Sequence, residues 1–326
     1  MSKRTYVVLI IVAVSLFSCR PPEHTESAKL RPFEFLIDWQ AEPTYLGVYY
    51  AKHLGEFEKL GLDVSIIQSW GANQAVTSVA TGRYKISTAS GGATVLGYNN
   101  GVQIVSLAVL YPRISTVVYG LATANVLNPK DLEGKRVGIY PSSITKNEFD
   151  AFVKANKLNI GKIDVVSLNG SDIPLLVAHK VDAVLHYGEM SPVEVKVNSS
   201  VRPSRPGQPK LFELRLADYG VGGYGLNIVT SRESFSHDGK LLQQVADAAV
   251  QGYRAGCADK ESAVKAFLSD FPEKNPDYVR ESWNQVCQTI GNNFGTQTLE
   301  GWQQTIDLYS SLGLLKQPID AKQILP

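Results

Sequence analysis

Cysteine and histidine are scarce in this chain of 326 residues, which has three cysteines and five histidines. It contains no CxxC motif and no cluster of Cys and His, and the histidines are scattered along the chain. Structural and catalytic zinc sites need such ligands in clusters at close spacing. The sequence therefore predicts no metal site, and it gives no sign of a bound cofactor.

An excess of charge of one sign is also lacking. Lys and Arg number 32 and Asp and Glu 31, which gives a formal net charge of +1. Proteins that bind nucleic acid need a basic patch to neutralise phosphates, so nucleic acid is not an expected partner. The motifs GxSxG, HExxH and GxxxxGK[ST] are absent as well. The sequence therefore favours a protein that is not an enzyme.

The N-terminus carries an apolar run that looks like an export signal. Lys3 and Arg4 precede about 12 largely apolar residues from Tyr6 to Phe17. This length fits the core of a signal peptide but not a mature spanning helix, which needs about 20 residues. Cys19 follows directly and is similar to the cysteine of a bacterial lipobox. We expect residues 1–19 to be a lipoprotein signal peptide, with Cys19 lipidated.

The mature protein is then expected to be exported and anchored to the membrane by its lipid, facing the periplasm or the cell exterior. The alternatives are an ordinary cleaved signal peptide, or an uncleaved anchor in which Cys19 is incidental. Residues 20–31 are polar and contain two prolines. They predict a flexible tether. Export also permits a disulfide between Cys257 and Cys287, although the sequence does not say whether the two approach.

The length favours two lobes, and strands alternate with helices from residue 33 onward. We expect one lobe from residues 32–121 plus 226–326 and a second from 122–225. The two crossovers, near residues 121–123 and 224–225, would form a two-strand hinge. The predicted fold class is α/β, with a mainly parallel core in each lobe. We expect the chain to be a monomer.

Four loops between strands and helices are candidates for the binding site. Glycine lets the backbone approach a ligand closely, and helix N-termini present free N–H groups. The alternative is that these loops are simply tight turns. The candidates are Gly71, Ala72 and Asn73 in the first loop, Ser90 and Gly91 in the second, Ser142 in the third, and Tyr187 and Glu189 in the fourth.

Aromatic and acidic residues cluster at the same loop ends. Flat rings stack on flat ligands, and carboxylates accept hydrogen bonds from amino groups. Core packing is the alternative for each ring, and a structural cap for Asp38. An anion would instead favour arginine, for which Arg113 is the candidate, and helix N-termini. The candidates are Trp39, Tyr45, Tyr111, Tyr187, Tyr219 and Tyr224 among the rings and Asp38, Glu189 and Asp218 among the carboxylates.

Several segments resemble one known family. Asp38-Trp39 and the stretches 45–51 and 54–64 are similar to the opening of thiamine pyrimidine-precursor binding proteins of the NMT1/THI5-like family. That family lies within the wider SsuA/THI5-like group of sulfonate- and nitrate-binding lipoproteins. Further similarity covers the segments 131–138, 181–184 and 218–221, and Phe294-Gly295, Trp302 and Gly313-Leu314-Leu315.

The resemblance implies a type II periplasmic-binding-protein fold and a substrate-binding lipoprotein of an ABC importer, with an ABC permease and its ATPase as partners. The ligand implied is a thiamine pyrimidine precursor or a similar small heterocycle; the alternative is a sulfonate, nitrate or other small anion. A second alternative is a pyrimidine synthase-like enzyme. In the yeast enzyme of this group Asp-Trp precedes Asn-Thr-Asn-His, whereas Tyr45 stands at the histidine position here and the cysteine-rich iron motif is absent.

Overall fold

The computed structural model describes residues 29–141, 143–169, 172–190, 192–193 and 211–326. Within these ranges the chain forms two five-stranded sheets. Cys19 and Ser142 lie outside the described residues.

The first sheet has the strand order β2-β1-β3-β10-β4. β1 runs parallel to β2 and β3, while β10 is antiparallel to its neighbours β3 and β4. β10 thus returns from late in the chain to the interior of a sheet otherwise formed by the first strands. The bounds are β1 Arg31–Ile37, β2 Leu62–Gln68, β3 Ser87–Ser90, β4 Ile104–Val109 and β10 Leu226–Ser231.

The second sheet has the order β7-β6-β8-β5-β9. β6 is parallel to β7 and β8, and β5 is antiparallel to β8 and β9. Each sheet therefore combines parallel pairs with one antiparallel interior strand, and the predicted two-part α/β architecture is confirmed. The bounds are β5 Thr116–Leu121, β6 Arg136–Ile139, β7 Asp164–Ser167, β8 Ala183–Tyr187 and β9 Leu211–Arg215.

Helices connect and cover the strands. None of those in the described ranges is long and apolar enough to cross a membrane. Their bounds are α1 Leu46–His53, α2 Ala72–Ala80, α3 Gly91–Asn99, α4 Ile144–Ala155, α5 Asp172–Val177, α6 Arg232–Ala258, α7 Lys260–Asp270, α8 Pro276–Ile290 and α9 Leu299–Ser311.

The segment 44–60, whose apolar spacing predicts one continuous helix, is interrupted. α1 ends at His53, and a separate 3₁₀ turn covers Glu58–Leu60. Gly55 and Gly61 have φ values of +69° and +72°. Because this left-handed conformation ends an α-helix, Gly55 stops α1 about two turns before the predicted end at residue 60.

The chain crosses between the sheets at residues 110–115 and 216–225. The two crossing segments bond to each other: the Gly225 N–H donates to the Tyr111 carbonyl at 2.9 Å, and the Ile114 N–H to the Gly223 carbonyl at 3.1 Å. The first crossing precedes the 121–123 region because β5 is hydrogen-bonded in the second sheet. We therefore propose that the first lobe comprises residues 32–112 plus 226–326, with β5 counted in the second.

The first lobe has its core between α1, α6 and the first sheet. α1 and α6 cross closely, and the Tyr253 hydroxyl on α6 donates to the Thr44 carbonyl at 2.6 Å. Beside them Trp283 of α8 is fully buried, and its Nε1–H donates to the Gly256 carbonyl at 3.0 Å. The disulfide Cys257–Cys287, left open by the sequence, joins α6 to α8. This lobe is therefore held by close helix packing and by a covalent link.

Candidate ligand-binding site

A cavity of about 950 Å³ lies between the two sheets. Its walls are formed by residues at or just after the carboxyl ends of β1, β2 and β3 on one side and of β6, β7 and β8 on the other. The carboxyl ends of parallel strands are where α/β proteins place their ligands. The size is within the range of sites for small organic ligands. This cavity is therefore the candidate site.

Asp38, directly after β1, is a buried carboxylate in the wall. Its Oδ1 accepts hydrogen bonds from the Tyr45 hydroxyl at 3.0 Å and from Thr88 Oγ1 at 2.5 Å. Burial raises the pKa of Asp38 above its usual range, and the two hydroxyl donors oppose that rise. Two hydroxyl donors hold the carboxylate in one orientation in the cavity wall.

Aromatic rings line both sides of the cavity. Trp39 and Trp70 on the first lobe are 44% and 74% exposed, which is unusual for such large apolar groups. On the second lobe His186 lies edge-on to Tyr140 at 6.2 Å and to Tyr187 at 5.7 Å between ring centroids. Rings on opposing walls can hold a flat molecule between them.

Glu148, in the second turn of α4, is a second buried carboxyl group in the wall. It is 4% exposed, and its Oε2 accepts a hydrogen bond from Thr116 Oγ1 on β5. Burial raises its pKa to about 7 because removal from water disfavours the charged form, and the bond from Thr116 only partly opposes this. Glu148 therefore exchanges a proton near neutral pH.

The imidazole of His186, on β8, is neutral near pH 7. Burial lowers the pKa of its imidazole below the usual value. Its Nδ1 is buried and has no hydrogen-bond partner among the described residues. A buried polar atom without a partner has a free-energy cost, and His186 is itself one of the residues that line the cavity.

The described walls of the cavity contain few charged side chains, and these are acidic. None of the lining residues that the structure describes is Lys or Arg. An anion in this cavity would meet Asp38 and Glu148 without a cationic side chain to balance it. The electrostatics thus favour a neutral or cationic ligand.

Residues 42–263 match the family described as NMT1/THI5 like. The chain belongs to this family. The match confirms the resemblance that the sequence motifs indicate.

Two relatives are similar to this chain over most of their length. The formylaminopyrimidine-binding protein of Halalkalibacterium halodurans is 22% identical over 324 residues, covering 97% of this chain and 96% of that protein. The 4-amino-5-hydroxymethyl-2-methylpyrimidine phosphate synthase of Schizosaccharomyces pombe is 21% identical over 293 residues, covering 88% of this chain and 83% of that protein. Similarity within the family therefore spans a binding protein and a synthase.

Among solved structures, the periplasmic aliphatic sulphonate binding protein SsuA of Escherichia coli superimposes with a TM-score of 0.72. It is 14% identical and covers 90% of this chain and 92% of that chain. At such identity the likeness shows the fold alone. The predicted periplasmic-binding-protein fold is thereby confirmed for this member of the NMT1/THI5-like family.

Nine residues selected from the sequence line the cavity of this family member. They come from the ends of β1, β2, β3 and β8 and from the first crossing segment. Their roles toward a ligand stay predictions. They are Asp38, Trp39, Tyr45, Gly71, Ala72, Asn73, Ser90, Tyr111 and Tyr187.

Gly91 and Glu189 lie next to the lining residues without joining them. Gly91 begins α3, and a Cβ on it would stand 2.3 Å from the Tyr224 carbonyl oxygen, so close packing requires glycine. Glu189 is 2% exposed and accepts a hydrogen bond from Ser115 Oγ at 3.2 Å. Burial raises the pKa of Glu189 to about 7. Both residues therefore lie behind the lining residues and pack against them.

Asp218, Tyr219 and Tyr224 lie away from the cavity, contrary to the expected placement. Asp218 pairs with Arg113 at 2.7 Å in a separate surface pocket of about 260 Å³. Tyr219 packs edge-on against Phe152. The Tyr224 ring packs on Trp302, and its hydroxyl accepts from the Thr298 N–H at 2.9 Å. The two tyrosines therefore pack against other rings of the protein, which is the alternative given above for such residues.

Several lining residues escaped the sequence analysis. Trp70 and Gln74 flank the first glycine loop, and the Trp70 N–H donates to Gln74 Oε1 at 2.9 Å. Glu148 could have been found, since it lies in the second turn of the helix that follows the third candidate loop. For Thr116 no signal was available, because β5 itself was not predicted. Pro141 and Ser143 also line the cavity, and they belong to the third candidate loop itself. The others are Thr44, Ile114, Ser115, Tyr140, Ile144, Thr145, Asn169, His186, Met190, Gly225 and Leu226.

Proposed function

We propose that this protein is the substrate-binding protein of an importer and that it captures a small flat heterocycle between its lobes. One observation carries the proposal: the cavity combines opposing aromatic rings with buried carboxyl groups, and its described walls include no Lys or Arg. Rings favour stacking, and carboxyl groups favour a ligand that carries amino groups. The name of the Halalkalibacterium relative supports a thiamine pyrimidine precursor as the ligand class.

Binding rather than synthesis is supported by a difference at one position. The resemblance to the yeast enzymes places their reactive histidine at the position of Tyr45. In this chain the Tyr45 hydroxyl instead donates to Asp38 and orders an acceptor. A tyrosine used in this way positions a ligand, and the proposal is therefore that the protein performs no reaction.

The proposed cellular arrangement follows from the N-terminal sequence. Residues 1–19 would direct export, and Cys19 would carry the lipid. Residues 20–30 would tether a monomeric two-lobed body to the membrane, since Arg31, expected in the tether, is the first residue of β1. The loaded protein would deliver its ligand to an ABC permease driven by an ATPase. The Cys257–Cys287 disulfide supports export, since such bonds persist in oxidising compartments.

Replacing the lipidated cysteine tests the anchor. Cys19→Ser is expected to move the protein from the membrane fraction into the soluble exported fraction, because a stable anchor requires the attached lipid. Fractionation followed by immunoblotting measures this, with Ser27→Ala, in the tether and away from the lipidated position, as a control that should stay in the membrane fraction. Continued membrane association of Cys19→Ser would show that Cys19 is not the anchor.

A ligand panel tests the proposed binding. At a concentration 100 times Kd, an aminopyrimidine is expected to stabilise the protein by about 2.7 kcal/mol and to raise Tm, while an alkanesulfonate should cause no shift. Differential scanning fluorimetry with an aminopyrimidine, a flavin and a sulfonate compares the ligand classes. A shift with the sulfonate and none with either heterocycle would contradict the proposal.

Two exposed apolar residues provide a test variant and its control for the affinity toward the aminopyrimidine. Trp70→Ala should weaken the aminopyrimidine about tenfold, since it removes a ring from the cavity mouth. Leu127→Ala, at a residue that is 85% exposed and outside the cavity, should leave the affinity unchanged. Equal affinities of the two variants would remove Trp70 from the site.

A further inference from the structure

We propose that Glu148 recognises the nitrogen-rich edge of the ligand through two hydrogen bonds. In one, a proton is shared between a carboxyl oxygen and a ring nitrogen; in the other, the adjacent amino group donates to the second carboxyl oxygen. The inference rests on the proposed function and deepens it. It names the feature that selects the ligand: an amidine-type edge, as in 4-aminopyrimidines.

The geometry fixes Glu148 as a rigid contact. The side chain begins on α4 and is tied to β5 by the hydrogen bond from Thr116, so two elements of one lobe define its orientation. It lines the cavity while it is 4% exposed. A ligand edge that reaches this carboxyl group leaves water almost completely, which makes an unmatched donor or acceptor costly there.

Within the part of the chain that the structure describes, no charged group on the neighbouring elements balances the Glu148 carboxyl group. Tyr187 on β8 and Tyr309 on α9 face it, and burial holds the pKa of both phenols well above the usual range. His186 on β8 is neutral, because burial lowers its pKa. The charged groups nearby are already paired: Lys146 with Asp150 on α4, and Asp218, on the 3₁₀ turn packed against α4, with Arg113.

Glu148 is therefore a carboxyl group that burial keeps protonated up to about pH 7. A protonated carboxyl offers one donor and one acceptor side by side. An amidine-type edge offers an acceptor, the ring nitrogen, next to a donor, the amino group. The two patterns fit head to tail, and the pair holds one proton whether it resides on the carboxyl oxygen or on the ring nitrogen.

A dependence of affinity on pH follows. Below pH 7 the free protein already carries the shared proton. Above pH 7 the free carboxyl is ionised and the free aminopyrimidine is neutral, so each binding event must take up a proton. The affinity should then fall about tenfold per pH unit, because Kd carries the free-energy cost of that protonation.

Glutamine provides an informative replacement. Its side-chain amide presents a donor and an acceptor side by side and does not titrate. Glu148→Gln should therefore bind the aminopyrimidine with an affinity independent of pH. Glu148→Ala should bind at least tenfold more weakly than wild type at pH 6. The control is Glu189→Gln, which changes a carboxyl group that is equally buried but lies behind the wall, and it should keep the wild-type slope.

Isothermal titration calorimetry with 4-amino-5-hydroxymethyl-2-methylpyrimidine from pH 6 to pH 9 tests the proposal. In wild type we expect a loss of about tenfold per unit above pH 7.5 and, in buffers of different ionisation enthalpy, uptake of about one proton per ligand. Circular dichroism checks the fold of each variant, and the proton count needs no variant at all.

The outcomes separate two failures. Wild-type binding without proton uptake, or an unchanged slope in Glu148→Gln, would overturn the role of Glu148 and leave the proposed function standing. Absence of binding at every pH would overturn both. Loss of the slope in Glu148→Gln with retained affinity, together with a normal slope in Glu189→Gln, is the result that the shared proton requires.

Discussion

Gly252→Ala is expected to lower the free energy of unfolding by about 2–3 kcal/mol, although glycine-to-alanine changes inside helices normally stabilise by about 1 kcal/mol. Gly252 lies where α6 crosses α1. A Cβ there would stand 2.0 Å from the Gly47 carbonyl oxygen and 2.6 Å from the Ala51 Cβ. Because these are backbone and Cβ atoms, no side-chain rotation relieves the contacts, and the helices must separate.

Separation of the helices would disturb more than one contact. The Gly47 Cα already packs on the Tyr253 ring so closely that a Cβ there would lie 2.2 Å from it. The hydroxyl of the same ring donates to the Thr44 carbonyl, just ahead of α1. Displacing α1 would therefore loosen a buried hydrogen bond along with the packing.

Urea denaturation of Gly252→Ala, wild type and Gln251→Ala measures the effect. Gln251 is the preceding residue on α6 and is exposed, so its replacement places an alanine on the same helix but outside the crossing with α1. The control should differ from wild type by less than about 0.5 kcal/mol. If Gly252→Ala proved as stable as the control, the close approach of the two helices would be refuted.

Removing the disulfide is expected to cost about 3–4 kcal/mol, as the double variant Cys257→Ala/Cys287→Ala should show. The bond links residues 30 apart in sequence, and closing a loop of that length restricts the unfolded chain by an amount of this order. In the folded protein it ties α6 to α8 beside Trp283, which is fully buried. The double variant should therefore unfold at a lower denaturant concentration and a lower Tm.

Reduction of the wild-type protein provides the matched comparison. A reductant should bring wild type to the stability of the double variant and should not change the double variant. Ellman's reagent should detect no free thiol from this pair in the unreduced, unfolded protein. A double variant as stable as the oxidised wild type would mean that the link contributes nothing to the lobe.

Much of the fold follows from local patterns in the sequence. Pro276 is typical of the first turn of a helix and predicts one that runs to about residue 290; the structure has α8 at Pro276–Ile290. Ser90 caps α3, since its side chain accepts a hydrogen bond from the Ala93 N–H. Signals of this kind depend on neighbours along the chain, so a single sequence contains them.

Long-range pairing is what the sequence hides. β5 and β9 were not predicted, and β5 lies between β8 and β9, each more than 60 residues away along the chain. The same limit applies to the site. Tyr111 and Tyr224 stand on the two paired crossing segments, yet Tyr111 lines the cavity and Tyr224 packs against Trp302. Only the three-dimensional arrangement decides which way each ring points.

The position of β10 imposes an order on folding. β4 is joined to the described first sheet through β10, which begins at Leu226, more than 100 residues after β4 ends. A nascent chain that emerges from its N-terminus therefore has β3 and β4 long before the strand that unites them. Closing so long a loop slows folding. If residues 1–19 direct export as proposed, this delay would keep the chain unfolded for passage through a translocon.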